Sequence, residues 1–125
     1  MISKIVIIAD GKKSNIDSIY QYLIEREYEV LVAYDGLDGF NLARSEGPDL
    51  ILIEEVLSGF NGYQICSLLK FDIKYEDIMV LILAYDARAK EHQLANNCGA
   101  VGVISIPVDL NKLMEKIKSI EMKEK

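Results

Sequence analysis

Residues 48–62 read PDLILIEEVLSGFNG, and this stretch decides the fold. Leu50, Ile51, Leu52 and Ile53 form an unbroken apolar run, opened by Pro48-Asp49 and closed by Ser58, Gly59, Asn61 and Gly62. A short run without alternation, bounded by turn formers, predicts a strand covered on both faces, as in parallel sheets packed between helices. In an open α/β sheet, ligands and chemistry gather beyond the carboxyl ends of the strands. Glu54 and Glu55 follow the run directly, so they stand where a functional acid would be placed.

The flanking sequence repeats the same alternation. Upstream, residues 5–8 (IVII) predict a first buried strand that Asp10-Gly11 closes with a turn. Ser14 or Asn15 can cap a helix in which Ile16, Ile19, Tyr20, Leu23 and Ile24 recur at helical spacing. Residues 30–33 predict a second strand. Asp35 then caps a weaker helix carried by Leu37, Phe40 and Ala43, with Gly47-Pro48 as its stop. Downstream, Gly62 begins a third helix with Tyr63, Ile65, Cys66, Leu68 and Leu69, and Asn61-Gly62 is the turn before it. Residues 79–83 predict a fourth strand, 88–97 a helix stopped at Cys98-Gly99, and 101–106 a fifth strand. Asp109 caps a last amphipathic helix with Leu110, Leu113, Met114, Ile117 and Ile120 inward and Lys112, Glu115, Lys116 and Lys118 outward. Five strands alternating with five helices predict an α/β fold, a (βα)5 doubly wound five-stranded parallel sheet with right-handed crossovers. One domain spans residues 1–125, with 119–125 as a frayed tail or the start of a linker.

Composition narrows the function classes. The chain has 125 residues, half of them hydrophobic and 27% charged, which suits one globular domain with a real core. A formal net charge of −6 works against a sequence-independent hold on nucleic acid, which needs clustered Lys and Arg. Cys66 and Cys98 form no CxxC pair and His92 is the only histidine, so neither a disulfide framework nor a zinc site is indicated. Both cysteines read as core residues in a reducing cytoplasm, and His92 as a solvated helix residue. The first nine residues are too short an apolar segment for a signal sequence or a membrane span, so the chain reads as soluble and cytoplasmic. Gly11-Lys12-Lys13-Ser14 resembles the end of a phosphate-binding loop without its upstream glycine.

Four stretches together resemble the receiver domain of bacterial two-component response regulators: KIVIIAD (4–10), YEVLVAYDGLDGFNLA (28–43), PDLILIEEVLSGFNGYQIC (48–66) and CGAVGVISIPVDLNKL (98–113). The resemblance covers essentially the whole chain and implies a flavodoxin-like strand order of 2-1-3-4-5. It also implies a cis peptide at Pro107. The family's chemistry is phosphoryl transfer from a histidine kinase to an aspartate after the third strand. That chemistry uses an acidic pair holding a divalent cation, a hydroxyl residue after strand four and a lysine after strand five. Cation and lysine neutralise the charge that develops on the phosphoryl oxygens.

Position by position, this sequence departs from that set. The nucleophile position holds Glu54, whose extra methylene displaces the carboxylate by more than about an angstrom, and such a shift costs about a hundredfold in a positioned reaction. The acidic pair is Ala9 and Asp10, the hydroxyl position is Ala84, the lysine position is Ile106 and the aromatic switch position is Val103. A hydrocarbon at Ile106 dries the pocket and penalises a dianion within it. These departures imply a degenerate, phosphorylation-independent receiver, a pseudo-receiver without enzymatic activity. It would signal or scaffold by binding a protein partner. The resemblance places that partner face on helix four, strand five and helix five, with Arg88, Lys90, Glu91, His92, Lys112 and Lys116; a homodimer through it stays open, as does an output domain in a longer chain. Glu54 as a standing imitation of the phosphorylated state would need partners that Ala84 and Ile106 cannot supply.

Two rival readings stand beside this one. A working phospho-receiver would use Glu54, Glu55 or Asp10 as acceptor. A flavodoxin-like cofactor binder would need a Ser/Thr-rich or Gly-rich cradle that the loop after strand one lacks. Asp10 and Glu54 can be a weak magnesium site completed by waters and a carbonyl near Val56, or a residual acidic patch onto which Lys12 or Lys13 folds. No other cofactor is implied.

Overall fold

The computed structural model of the chain describes residues 1–11 and 15–123. Its strands are β1 (Lys4–Ile8), β2 (Glu29–Ala33), β3 (Leu50–Glu54), β4 (Met79–Tyr85) and β5 (Gly102–Ile106). They alternate with α1 (Asn15–Glu25), α2 (Gly36–Glu46), α3 (Gly62–Lys70), α4 (Ala89–Cys98) and α5 (Leu110–Lys123). All strand pairs are parallel, in the order β2-β1-β3-β4-β5, which is the predicted fold and strand order. The cap expected at Ser14 or Asn15, the fold-over of Lys12 or Lys13, the Gly11–Ser14 run as a whole and the last two residues of the tail fall outside what is described.

β3 lies at the centre of the sheet and is buried along its whole length. Its side chains alternate between two cores. Leu50 and Leu52 join Ile5, Ile7 and Leu81 beneath α1 and α5, whose buried residues there are Ile16, Ile19, Leu23, Leu113, Ile117 and Ile120. Ile51 and Ile53 join Val6, Ile8 and Ile82 beneath Ala43 of α2, Ile65, Cys66 and Leu69 of α3, and Ala95 and Cys98 of α4. Each of the four apolar β3 side chains contributes about 1.5–3 kcal/mol by burial. Two helices therefore cover one face and three the other, and no apolar face of β3 is left to alternate with solvent.

The termini of the helices are fixed by short polar side chains. Asp35 accepts the Asp38 amide at 2.7 Å, and Asp109 accepts the amides of Asn111 and Lys112 at 2.9 and 3.2 Å, both as their sequence positions predict. Asn61 and Gln64 form a reciprocal capping box, each amide bonded to the other's side chain at 2.9 Å. Arg88 lies just outside α4 instead of opening it, and its amide donates to Glu91.

The inward face of α2 differs from the predicted one. Leu37 is 57% exposed, while Gly36, Gly39 and Ala43 are buried. The helix lies so close to β1 that a Cβ on Gly39 would stand 2.5 Å from Ile8, so only glycine fits there; Leu37 is turned outward, while Phe40 and Leu42 pack partly buried against the core. Leu68 of α3 is half exposed, as Tyr20 and Ile24 of α1 are in part. Among the described residues no helix is long and apolar enough to cross a membrane.

Candidate functional site

The parallel register brings the carboxyl ends of β1, β3, β4 and β5 to one edge of the sheet. Ile8 pairs with Ile53, so the next residues, Ala9 and Glu54, stand side by side; Glu54 pairs with Leu83, and Tyr85 with Ile106. Glu54 is the one charged side chain buried among the described residues, at 4% exposure. Burying a carboxylate is costly unless its oxygens are hydrogen-bonded. Here Oε1 accepts the backbone N–H of Asp10 at 2.7 Å, a distance typical of a charge-assisted bond. The extra methylene of glutamate is what carries the oxygen across from β3 to the chain leaving β1.

Four other positions at this end carry hydrocarbon. Ala9 is fully buried and Ile106 is 7% exposed, both within the core under α1 and α5; Ala84 is fully buried on the opposite side of the sheet, and Val103 is half buried there. The peptide between Ile106 and Pro107 is cis. Gly62 roofs the site from α3. Its amide donates to the Glu55 carbonyl at 2.9 Å, and a side chain on it would collide with the Glu54 carbonyl oxygen. A glycine after Asn61 is thus required by close approach as well as by the turn.

Glu55 goes elsewhere. Its amide is held by the Leu83 carbonyl at 2.8 Å, and its Oε1 accepts the Tyr63 hydroxyl at 3.0 Å. Burial and that bond push the Tyr63 phenol above the ordinary tyrosine range. Glu55 and Tyr63 border an open groove of about 600 Å³ between α3 and α4, whose wall also includes Gln64, Leu94, Asn97 and Cys98. Nothing in the sequence pattern pairs Glu55 with Tyr63; the spacing of eight residues spans a turn and the first residues of a helix. The two adjacent acids thus part, one closed into the sheet edge and the other turned to the groove.

The fit of a divalent cation to this end was tested on its donors. One Glu54 oxygen is committed to an amide, the position beside it is Ala9, and the described residues contain no group of three or more His, Cys, Asp or Glu that could hold a metal ion. Magnesium keeps several waters and binds through one or two carboxylates, so Asp10 and Glu54 are the residues that would hold one here, and no step is derived through it.

On the proposed partner side, β5 is an edge strand beside α4 and α5. Arg88 pairs with Asp86 at 2.6 Å on the surface, and the side chain of Lys116 lies across Gly102, where a Cβ would stand 2.8 Å from its Cε. His92, Asn96, Val103 and Lys116 border a shallow depression of about 280 Å³ between these elements.

Comparison with known proteins agrees with this architecture. Residues 6–118 match the model of the response regulator receiver domain. The chain is 29% identical over 115 residues to protein PilH of Pseudomonas aeruginosa, covering 92% of this chain and 95% of that one. Among solved structures, the chemotaxis response regulator CheY4 of Vibrio cholerae superposes with a TM-score of 0.87 at 19% identity, covering 96% of this chain and 99% of that one. The co-crystal of the Saccharomyces cerevisiae histidine phosphotransfer signaling protein Ypd1 with the receiver domain of its downstream response regulator Ssk1 gives 0.85 at 17% identity, over 93% of this chain and 86% of that one.

Proposed function

The chain belongs to the response regulator receiver family, and from that premise we propose that it is a phosphorylation-independent receiver: a non-enzymatic module that signals or scaffolds by holding a protein partner. The observation that carries this reading is the Glu54 carboxylate, buried and bonded to the Asp10 amide at 2.7 Å. An acceptor acid must present a free oxygen in line with a phosphoryl donor, among charges that offset those developing on the phosphoryl oxygens. Glu54 faces a backbone amide, and its neighbours at Ala9, Ala84 and Ile106 supply neither charge nor hydroxyl. A phosphoryl group there would lack compensation in a dry setting.

Binding is the remaining use of the fold, and α4, β5 and α5 are the face proposed for it. The Ssk1 receiver domain, a fold neighbour, was solved bound to Ypd1, which makes a protein partner a reasonable occupant here. Lys90, Glu91, Lys112 and Lys116 with His92 on α4 and α5 suit a polar, exchangeable contact. A second copy of the chain on the same face is a testable variant of this reading, and the cytoplasm is its proposed setting.

The test is intact-protein mass after incubation with acetyl phosphate and magnesium. The expected result is no added phosphoryl mass. A labile adduct mapped to Glu54, Glu55 or Asp10 would establish the phospho-receiver instead.

A further inference from the structure

Cys66 and Cys98 stand 32 residues apart in sequence, and the fold brings them together. Cys66 lies in the inward face of α3, and Cys98 is the last residue of α4. The Cys66 thiol donates to the Cys98 carbonyl at 3.3 Å, which sets its sulfur against Cys98, and the Cys98 thiol donates to the Ala95 carbonyl at 3.2 Å. Gly99 permits this approach: it adopts a left-handed φ of 88°, and the Lys70 side chain of α3 lies 3.0 Å from where its Cβ would be. Both thiols are free, and the chain contains no other cysteine.

We infer that Cys66 and Cys98 form a redox-active dithiol, a modification site that a peroxide-class oxidant converts to an intramolecular disulfide joining α3 to the end of α4. Buried thiols are ordinarily inert. This pair differs in two respects. Cys98, though only 4% exposed, forms part of the wall of the open groove between α3 and α4, so only that wall separates it from solvent. The Cys66 sulfur also lies 3.3 Å from the Cys98 carbonyl, so an oxidised Cys98 has a second thiol at hand.

The roles of the two sulfurs are unequal. The neighbouring Cys66 side chain is the first cause lowering the Cys98 thiol, and the Ala100 amide and its own add to it against the effect of burial. Cys66 is pushed up, first by the Cys98 side chain beside it and then by burial. Cys98 borders the groove and Cys66 lies behind it in the core, so Cys98 is the attacking sulfur and Cys66 the resolving thiol. The Cys98 sulfur attacks one peroxide oxygen, the O–O bond breaks, and hydroxide leaves to take up the proton released by the thiol. The Cys66 sulfur then attacks the sulfenyl sulfur; the S–O bond breaks and water departs with the Cys66 proton. Two thiols lose two hydrogens, and one peroxide becomes two waters.

This inference is independent of the strand-end acids, so it stands or falls apart from the proposed function. The reduced native chain would be treated with one equivalent of hydrogen peroxide and its mass measured without reductant. The expected product is lighter by two hydrogens and yields one peptide pair containing Cys66 and Cys98 that dithiothreitol separates. Cys66→Ser should stop at a dimedone-reactive sulfenic acid on Cys98, and Cys98→Ser should leave Cys66 unreactive. The wild-type chain decides the matter even if a variant fails to fold. Unchanged mass, oxygen adducts in place of the loss of two hydrogens, or disulfide-linked dimers alone would overturn the inference.

Discussion

The two ends of β3 carry one acid each, and both acids hold backbone amides of the β1 segment. At the N-terminal end, Oδ2 of Asp49 accepts the amides of Ser3 and Lys4 at 2.9 and 3.0 Å and the Ser3 hydroxyl at 3.2 Å. At the C-terminal end, Glu54 accepts the Asp10 amide at 2.7 Å. Asp49 is half buried and reached by water; Glu54 is closed off by hydrocarbon. The likeness teaches that the acid in the family's nucleophile position works here as a staple between strands, as Asp49 does at an end with no phosphoryl chemistry. The difference in burial sets how much each staple is worth, since an orphaned amide costs most where water cannot replace the lost partner.

Gly62→Ala should have the largest effect, because the new methyl would be driven into the Glu54 carbonyl and the backbone around it. A loss of about 3 kcal/mol is expected, read from urea unfolding. Glu54→Ala should follow at about 2 kcal/mol, from the unpaired Asp10 amide and the cavity together. Glu54→Gln keeps an acceptor oxygen and should recover more than half of that loss; equal losses for the two variants would break the comparison.

Asp49→Asn should have the smallest effect, about 1 kcal/mol near neutral pH, because water can replace part of what the mutation removes. Its pH dependence sharpens the contrast. Burial pushes the Asp49 carboxyl up, but the amides of Lys4 and Ser3 and the Ser3 hydroxyl outweigh it and hold the group below the ordinary aspartate range. A carboxyl depressed by folding contributes stability that is present above the unfolded pKa and lost as pH falls through the folded one. The gap between wild type and Asp49→Asn should therefore narrow in acid, and an unchanged gap across that range would remove the Asp49 staple from the account.

Much of this was legible from sequence where one local signal suffices. The Leu50–Ile53 run gives a strand because no residue in it tolerates solvent, and Asp35 and Asp109 cap helices because a short carboxylate reaches the next turn. At α2, helical spacing alone ranks Leu37 above the glycines, whereas the distance from α2 to β1 admits only glycine at position 39. The Ala9, Ala84 and Ile106 positions were legible as departures from the family set, but the Asp10 amide as Glu54's partner was not, since it depends on strand register and on the reach of one extra methylene. The meeting of Cys66 and Cys98 was likewise hidden, because no spacing rule links the middle of one helix to the end of the next.

The amide proton of Asp10, followed by NMR, tests the central claim most directly. With Glu54 as its acceptor it should resonate far downfield, exchange slowly, and stay in place as magnesium and then acetyl phosphate are added. An Asp10 amide that exchanges rapidly, or that moves on adding either reagent, would contradict the account and return the strand end to phosphoryl chemistry.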